Sequence, residues 1–444
     1  MADFETYFDE LAGLLRIPSI SADAAHAADV VRAGEWVRDK IFAAGGEAEL
    51  VMWKGQPLVI GEIRASRDAG SAPTILCYGH FDVQPPAPLE LWESEPFEPT
   101  IRDGWIYARG IADDKGQLYM LLQAAAELAA AGELPVNVRF TCDGEEETGG
   151  HSIVDYLEQD DRGADAAIVF DSGYLKVGVP SFDVAVRGMG YFHVKVRTGE
   201  RDLHSGLFGG AALNAMHALM RVLQGVLAGP DGRVPEPLRA GVAPPTEAEL
   251  ESWQTLTPGA EEISSQGARP MDDRAESDFY PRTWAEPAVD VHGLHGGSPL
   301  LQKTVLPVEA EANVSIRLAP GQDPDVIIPE FERLLREAAP RGAEVEIERW
   351  ASSPPGLVPP DSPAVQLALD AFEETTGTRP LLVRSGGSIP IVPALAGRGI
   401  PVVVSGFSLP DSNIHSPNER LLAEYLPLGV SVARALFTRL GQLG

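Results

Sequence analysis

Apolar positions recur in two rhythms along this chain, and the change from one to the other divides it. Near the start, Phe4, Phe8, Leu11, Leu14 and Leu15 fall at helical spacing, and residues 7–15 and 30–44 are predicted as helices. Residues 74–78 are a short apolar strand, 136–141 and 166–170 read as two more buried strands, and an Ala- and Leu-rich helix over 118–131 lies between the first two. Such alternation of helix and strand predicts an α/β sheet. Beyond Pro180 the texture changes: 182–186 and 191–196 read as paired strands, 211–227 as a helix, 308–318 as a strand and 325–338 as a helix. Between them, 229–297 is rich in Pro, Gly and acidic residues, has little periodicity, and is too long for an ordinary loop. Its course does not follow from the pattern. Residues 351–360, rich in Ser and Pro, read as a return linker, after which 364–374, 400–404 and 421–440 complete the first domain. The expected organisation is a catalytic domain made of 1–186 and 351–444, interrupted by an inserted domain of strands and helices over 187–350.

Length agrees with this division, because 444 residues exceed one ordinary core. A hydrophobic fraction of 44% and a charged fraction of 23% are those of a soluble globular protein. No apolar run approaches the roughly 20 residues of a membrane span, and Met1-Ala2-Asp3-Phe4-Glu5 lacks the layout of a signal peptide. A cytoplasmic protein is expected. Thirty-five basic against 65 acidic residues give a net charge of −30, which argues against nucleic acid and anionic membranes as partners. Cys77 and Cys142 end apolar runs and are read as buried thiols, not as a disulfide framework.

The chemistry gathers where apolar runs end. His80 and Asp82 lie two apart on an extended segment and face one side, so that an imidazole can bind a metal while the carboxylate orients it. Asp113-Asp114 precedes Lys115-Gly116, Glu145-Glu146-Glu147 follows a buried strand, Asp171 follows another, and His415 sits in a loop of small and polar residues. Singly, each has an ordinary alternative: a hydrogen-bonded histidine, a solvated turn capping a helix, a wet acidic triplet. Together they supply two histidines and several carboxylates, a donor set suited to zinc, manganese or cobalt. In open α/β sheets, sites form beyond the carboxyl ends of strands, where these segments fall.

Several runs resemble a known family. Tyr78-Gly79-His80-Phe81-Asp82-Val83-Gln84-Pro85, Tyr107-Ala108-Arg109-Gly110 with Ile111-Ala112-Asp113-Asp114-Lys115-Gly116, Glu145-Glu146-Glu147-Thr148-Gly149 and Leu203-His204-Ser205-Gly206 are similar to motifs of the co-catalytic metallopeptidases that include carnosinase, aminoacylase and carboxypeptidase G. Gly386-Gly387-Ser388-Ile389-Pro390 and His415-Ser416-Pro417-Asn418-Glu419 resemble the carnosinase-like dipeptidase branch.

That resemblance implies a zinc-peptidase-like catalytic domain on a central mixed sheet, interrupted by a smaller α+β lid and dimerisation domain. It implies two divalent metal ions per subunit, zinc first with manganese or cobalt as alternatives. Asp113 would bridge them, His80 and Asp171 completing one site and Glu147 and His415 the other. Glu146 becomes the general base and Asp82 the carboxylate that orients His80; aligning on Thr148-Gly149 favours Glu146 and Glu147 over Glu145. His204 matches the oxyanion-stabilising histidine that reaches the site from the partner subunit of a homodimer. Arg317 matches the arginine that binds a substrate carboxylate, with Thr304 and Ser388 beside it. Lys115 and Arg109 are read as structural. The expected activity is hydrolysis of dipeptides or short peptides with a free C-terminal carboxylate, by a water activated between two cations and deprotonated by Glu146. An N-acyl-amino-acid amidohydrolase is the alternative, since the same machinery cleaves either amide. A non-catalytic metal- or peptide-binding protein is disfavoured by the presence of Glu146.

Overall fold

The computed structural model describes residues 2–149, 152–386, 389 and 391–443. The chain forms two compact units, one of residues 1–184, 358–383 and 390–444, the other of 185–357 and 384–389.

The first unit is built on a six-stranded mixed sheet. Its strand order is Glu47–Trp53, Gln56–Ile63, Asn137–Asp143, Thr74–His80, Ala166–Gly173 and Val402–Ser408. The first two strands form an antiparallel hairpin and the last four run parallel. Buried on both faces, Asn137–Asp143 and Val402–Ser408 have no exposed position; the polar side chains of Asn137 and Arg139 are buried with hydrogen-bond partners, Asn137 Oδ1 accepting from Ala65 N and Arg139 Nη1 donating to Gly163 O. The helix Lys115–Ala130 is buried throughout its first two turns and packs with Tyr425–Leu440, which in turn packs with Pro363–Thr376. The edge hairpin escapes the periodic reading of the sequence because Glu47–Trp53 is nowhere fully buried and its polar positions, Glu47 and Glu49, give way to the apolar Leu50 to Trp53 without sustained alternation.

In the second unit, a four-stranded antiparallel sheet has the order Ala288–His295, Glu309–Leu318, Gly188–Arg197 and Glu344–Ser353. Gly188–Arg197 alternates cleanly between buried and half-buried positions. Phe192, Val194, Val314 and Ile316 pack with Leu219 and Val222 of the helix Ala215–Gln224 and with Ile327 and Phe331 of the helix Pro324–Glu337. The stretch 229–297 is folded. It holds two seven-residue helices, Glu247–Trp253 and Gly259–Ser265, and the strand Ala288–His295. Helices so short show less than two turns of periodicity, so the pattern cannot reveal them. A capping box between Thr246 and Glu249 starts the first, and Glu249 also pairs with buried Arg384 at 2.7 Å.

Asp183 lies buried in the first unit, where Ser172 Oγ donates to its Oδ2 at 2.5 Å. Burial pushes its pKa up to about 6, with the Ser172 hydrogen bond acting in the opposite direction. A carboxyl whose pKa rises on folding imposes no cost below its unfolded pKa, destabilises increasingly as pH climbs from there to the folded value, and carries its full, constant cost above it. Asp183→Asn is therefore expected to stabilise the protein at pH 8 by on the order of 2–3 kcal/mol and to change it little at pH 4. Denaturant melts at both pH values measure this; an equal effect at both would remove the ionisation argument.

Candidate active site

Four neighbouring parallel strands point their carboxyl ends at one edge of the sheet. Thr74–His80 ends in His80, Asn137–Asp143 leads into Glu145-Glu146-Glu147, Ala166–Gly173 carries Asp171, and Val402–Ser408 runs on to the loop of His415. Asp113 comes from the turn before the helix Lys115–Ala130, and the Asp113–Asp114 peptide bond is cis. That turn is tight: Gly110 has φ +87°, and a Cβ there would lie 2.8 Å from Val83 Cγ1.

The two carboxylate oxygens of Asp113 face different histidines. Oδ1 is 2.9 Å from His80 Nε2, and Oδ2 is 3.0 Å from His415 Nε2. Asp171 Oδ1 lies 3.9 Å from His80 Nε2, and Glu147 Oε2 lies 3.0 Å from His415 Nε2. The structure thus assembles two donor triads, His80, Asp113 and Asp171 and then Asp113, Glu147 and His415, with the donor atoms of each within 4.8 Å of one another. Asp171 reaches this position at an irregularity in the sheet. Phe170 pairs with Ser405 and Ser172 with Gly406, leaving Asp171 without a partner in register. The two strands come so close there that a Cβ on Gly406 would lie 2.0 Å from Ser172 O.

Electrostatics explain what such a cluster takes up. Burial pushes Asp171 well above the usual carboxylate range, and the nearby Asp113, Asp114 and Glu146 add to this against the pull of His80. Burial would lower His80, but hydrogen bonds to Asp113 and Asp82 outweigh it and hold the imidazole well above its ordinary pKa. Hydrogen bonds to Asp113 and Glu147 raise His415 to about 10. Both histidines therefore draw protons into a carboxylate cluster that requires positive charge. Divalent cations meet the same need at the same oxygen and nitrogen donors, releasing those protons, so the residues present fit a metal pair. Glu146 is raised to about 7, chiefly by burial, with His80 lowering it and Asp113, Glu147 and Asp82 raising it.

The triplet separates by partners. Glu145 is buried and accepts from Ser152 N at 2.8 Å, at the start of the helix Ser152–Gln159. Glu146 N and Glu147 N donate to Asp82 Oδ1 and Oδ2 at 3.2 and 3.1 Å. Asp82 Oδ1 also lies 3.4 Å from His80 Nδ1, so one carboxylate orients a histidine and both glutamate amides together. Two residues to which the sequence assigned no role belong here, Gln117 and, within the run that carries His80, Gln84. Gln84 donates from Nε2 to Glu147 Oε2 at 2.9 Å and to Glu147 O at 3.0 Å, setting that side chain. Gln117, buried in a helix face otherwise apolar, donates to Ala112 O at 2.7 Å and accepts from Phe407 N at 2.6 Å. A glutamine inside an apolar helical face was the available signal.

In the second unit, His204 is exposed and pairs across a short two-stranded ladder with Val305. Its Nδ1 accepts from Gly206 N at 3.1 Å, which leaves the neutral ring's proton on Nε2. Thr304 flanks the same ladder, its carbonyl accepting from Ser205 N and Oγ. Arg317 is half-buried on Glu309–Leu318. Arg187, also unmarked by sequence, has its pKa pushed down to about 10 by burial and then by Arg317. Two guanidiniums near one another favour an anion between them. Ser388 lies outside the described residues.

The profile of Peptidase family M20/M25/M40 matches residues 76–439, and the chain belongs to that family. Among its relatives, a cysteinylglycine-S-conjugate dipeptidase of Corynebacterium striatum is 29% identical over 436 residues, covering 94% of this chain and 91% of the relative. The Beta-Ala-His dipeptidase of Homo sapiens is 27% identical over 402 residues, covering 87% and 78% respectively. The M20 family metallo-carboxypeptidase Sso-CP2 from Sulfolobus solfataricus superposes with a TM-score of 0.86 at 27% identity, over 98% of this chain and 99% of that one. The α/β class with a central mixed sheet and the metallopeptidase class expected from the motifs both stand.

Partners within the triplet give a substitution series. Glu146→Gln should keep both metals and lower turnover on the order of 10²–10⁴-fold. Glu147→Gln should also weaken one metal site, and Glu145→Gln should act mainly on thermal stability. Metal content by elemental analysis beside kcat separates the three; normal turnover in Glu146→Gln would shift the assignment by one residue.

Proposed function

We propose that the protein is a homodimeric, cytoplasmic, dinuclear metal-dependent dipeptidase acting on dipeptides or short peptides with a free C-terminal carboxylate. The observation that carries this reading is Asp113 shared between two histidine-containing triads with Glu146 beside it. The dipeptidase names of its relatives support the substrate class. His80, Asp113 and Asp171 would hold one ion and Asp113, Glu147 and His415 the other, with zinc preferred and manganese or cobalt as alternatives. When bound, the ions supply an acidified water and a Lewis acid for the scissile carbonyl. The chain does the rest. Glu146 takes the proton of the attacking water and returns it to the leaving amine. Asp82 holds His80 and the backbone of the glutamates in place. His204, with its proton on Nε2, is a donor for the oxyanion, and Arg317 with Thr304 and Ser388 takes the substrate carboxylate. In this reading, 187–350 is the lid and dimerisation domain, and 1–186 with 351–444 is the catalytic domain.

A panel of dipeptides, their C-terminal amides and N-acyl amino acids, run on protein reconstituted separately with zinc, manganese and cobalt, tests the reading. Dipeptides should turn over, amides should lose most of kcat/KM, and a chelator should abolish activity and lower Tm. Preference for N-acyl amino acids would favour an amidohydrolase, while activity persisting after verified metal removal would end the mechanism.

Whether each active site draws on two chains is tested by co-expressing Glu146→Ala and His204→Ala. About half of randomly paired dimers are mixed, each with one complete site of two if His204 acts across the dimer, so roughly a quarter of wild-type activity should return. Verified mixed dimers that recover nothing would place His204 in its own chain's site.

A further inference from the structure

Glu419 is fully buried, and its carboxylate accepts four hydrogen bonds. Oε2 takes Arg109 Nη1 at 2.6 Å and Gly110 N at 3.0 Å, and Oε1 takes Ala112 N at 2.9 Å and Asp113 N at 3.1 Å. All three amides belong to the turn that delivers Asp113. Arg109, only 1% exposed, also sends Nη2 to Pro85 O at 3.4 Å and to Ser416 O at 3.3 Å. One guanidinium therefore touches the segments that follow His80, precede Asp113 and follow His415.

A buried ion pair is a weak device for stability alone, because apolar residues of similar volume commonly do as well. This pair has a geometry that an apolar replacement cannot supply. Three amides converging on one carboxylate set the path of the turn, and Ala108 N donates to Glu419 O at 3.2 Å to align the two segments. The loop of His415 needs such anchoring, since Asn413, His415 and Asn418 all have positive φ, a conformation that side chains disfavour. We propose that Arg109 and Glu419 form a positioning pair that preforms the turn of Asp113 and sets the loop of His415 against it before any ion arrives. This rests on the metal-centre reading above. Asp113 serves both triads, so both should feel the pair; the Asp113, Glu147 and His415 triad should feel it more, because Arg109 also holds Ser416.

The test is calorimetric titration of cobalt(II) into metal-free wild-type and Glu419→Gln protein, with absorption spectra recorded below both melting temperatures. Wild type should take two ions. Glu419→Gln keeps one acceptor oxygen and places an NH2 donor against either Arg109 and Gly110 or Ala112 and Asp113, and should bind the weaker ion 10–100-fold less tightly, with a changed cobalt spectrum. Arg109→Met should show the same preferential loss. Amide exchange on metal-free wild type needs no variant: Ala112 and Asp113 should already be protected, and free exchange until metal is added would overturn the proposal. Wild type that binds no ions would sink the metal-centre reading itself. Two ions in wild type with unchanged affinity and spectrum in a folded Glu419→Gln would sink only the positioning pair.

Discussion

Negative charge crowded against the end of a buried sheet is the condition under which this structure is organised. Asp82, Asp113, Asp114, Asp143, Glu146, Glu147 and Asp171 gather where water is scarce, and carboxylates there are costly unless each finds donors or a cation. The chain sorts them. Asp82 is occupied by the amides of Glu146 and Glu147, Asp114 by the amide of His80, and Asp143 by the amide of Glu145. The oxygens that face the two imidazoles are those of Asp113, Oδ1 of Asp171 and Oε2 of Glu147, whose Oε1 takes the amide of Gln84. Turns, caps and strand order together decide which carboxylates the fold absorbs and which it offers.

The parts of the fold legible in the sequence share one physical cause. Strands at 74–78 and 166–170 show as nearly unbroken apolar runs, as strands of a parallel sheet buried on both faces do, while 136–141 keeps Asn137 and Arg139 buried among its apolar positions; the ends of the three segments mark where His80, the glutamates and Asp171 emerge. The edge hairpin was not legible, since a half-exposed strand such as Glu47–Trp53 has no strong pattern. Nor were the short helices of 229–297, whose stability depends on contacts such as Trp253 with Trp284 and Glu249 with Arg384.

Within the site, ligand types and the carboxylate of Asp82 that orients His80 could be read from position and from motif resemblance, but the other residues that aim the ligands could not. Gln84 and Gln117 act through main-chain and side-chain atoms distant in sequence, at distances that no spacing rule encodes. Arg187 stands next to Arg317 only because the sheet of the second unit brings them near one another. Polarity inside an apolar context flags such residues, while their partners emerge only from tertiary structure.

The unpaired position at Asp171 has a consequence for how this protein can change over time. By leaving one residue out of the ladder with Val402–Ser408, the strand delivers a carboxylate to its edge while Phe170, one position earlier, stays packed with Phe372 and Phe407. Chemistry and core are thereby uncoupled at adjacent positions. Substitutions that repack the aromatic cluster can accumulate without moving the carboxylate, whereas loss of Asp171 would remove the carboxylate and still leave Phe407 of the facing strand without a partner in register. Lineages descending from this sequence should tolerate drift in the interior at 170, 372 and 407 far better than any deletion at 171 or 172.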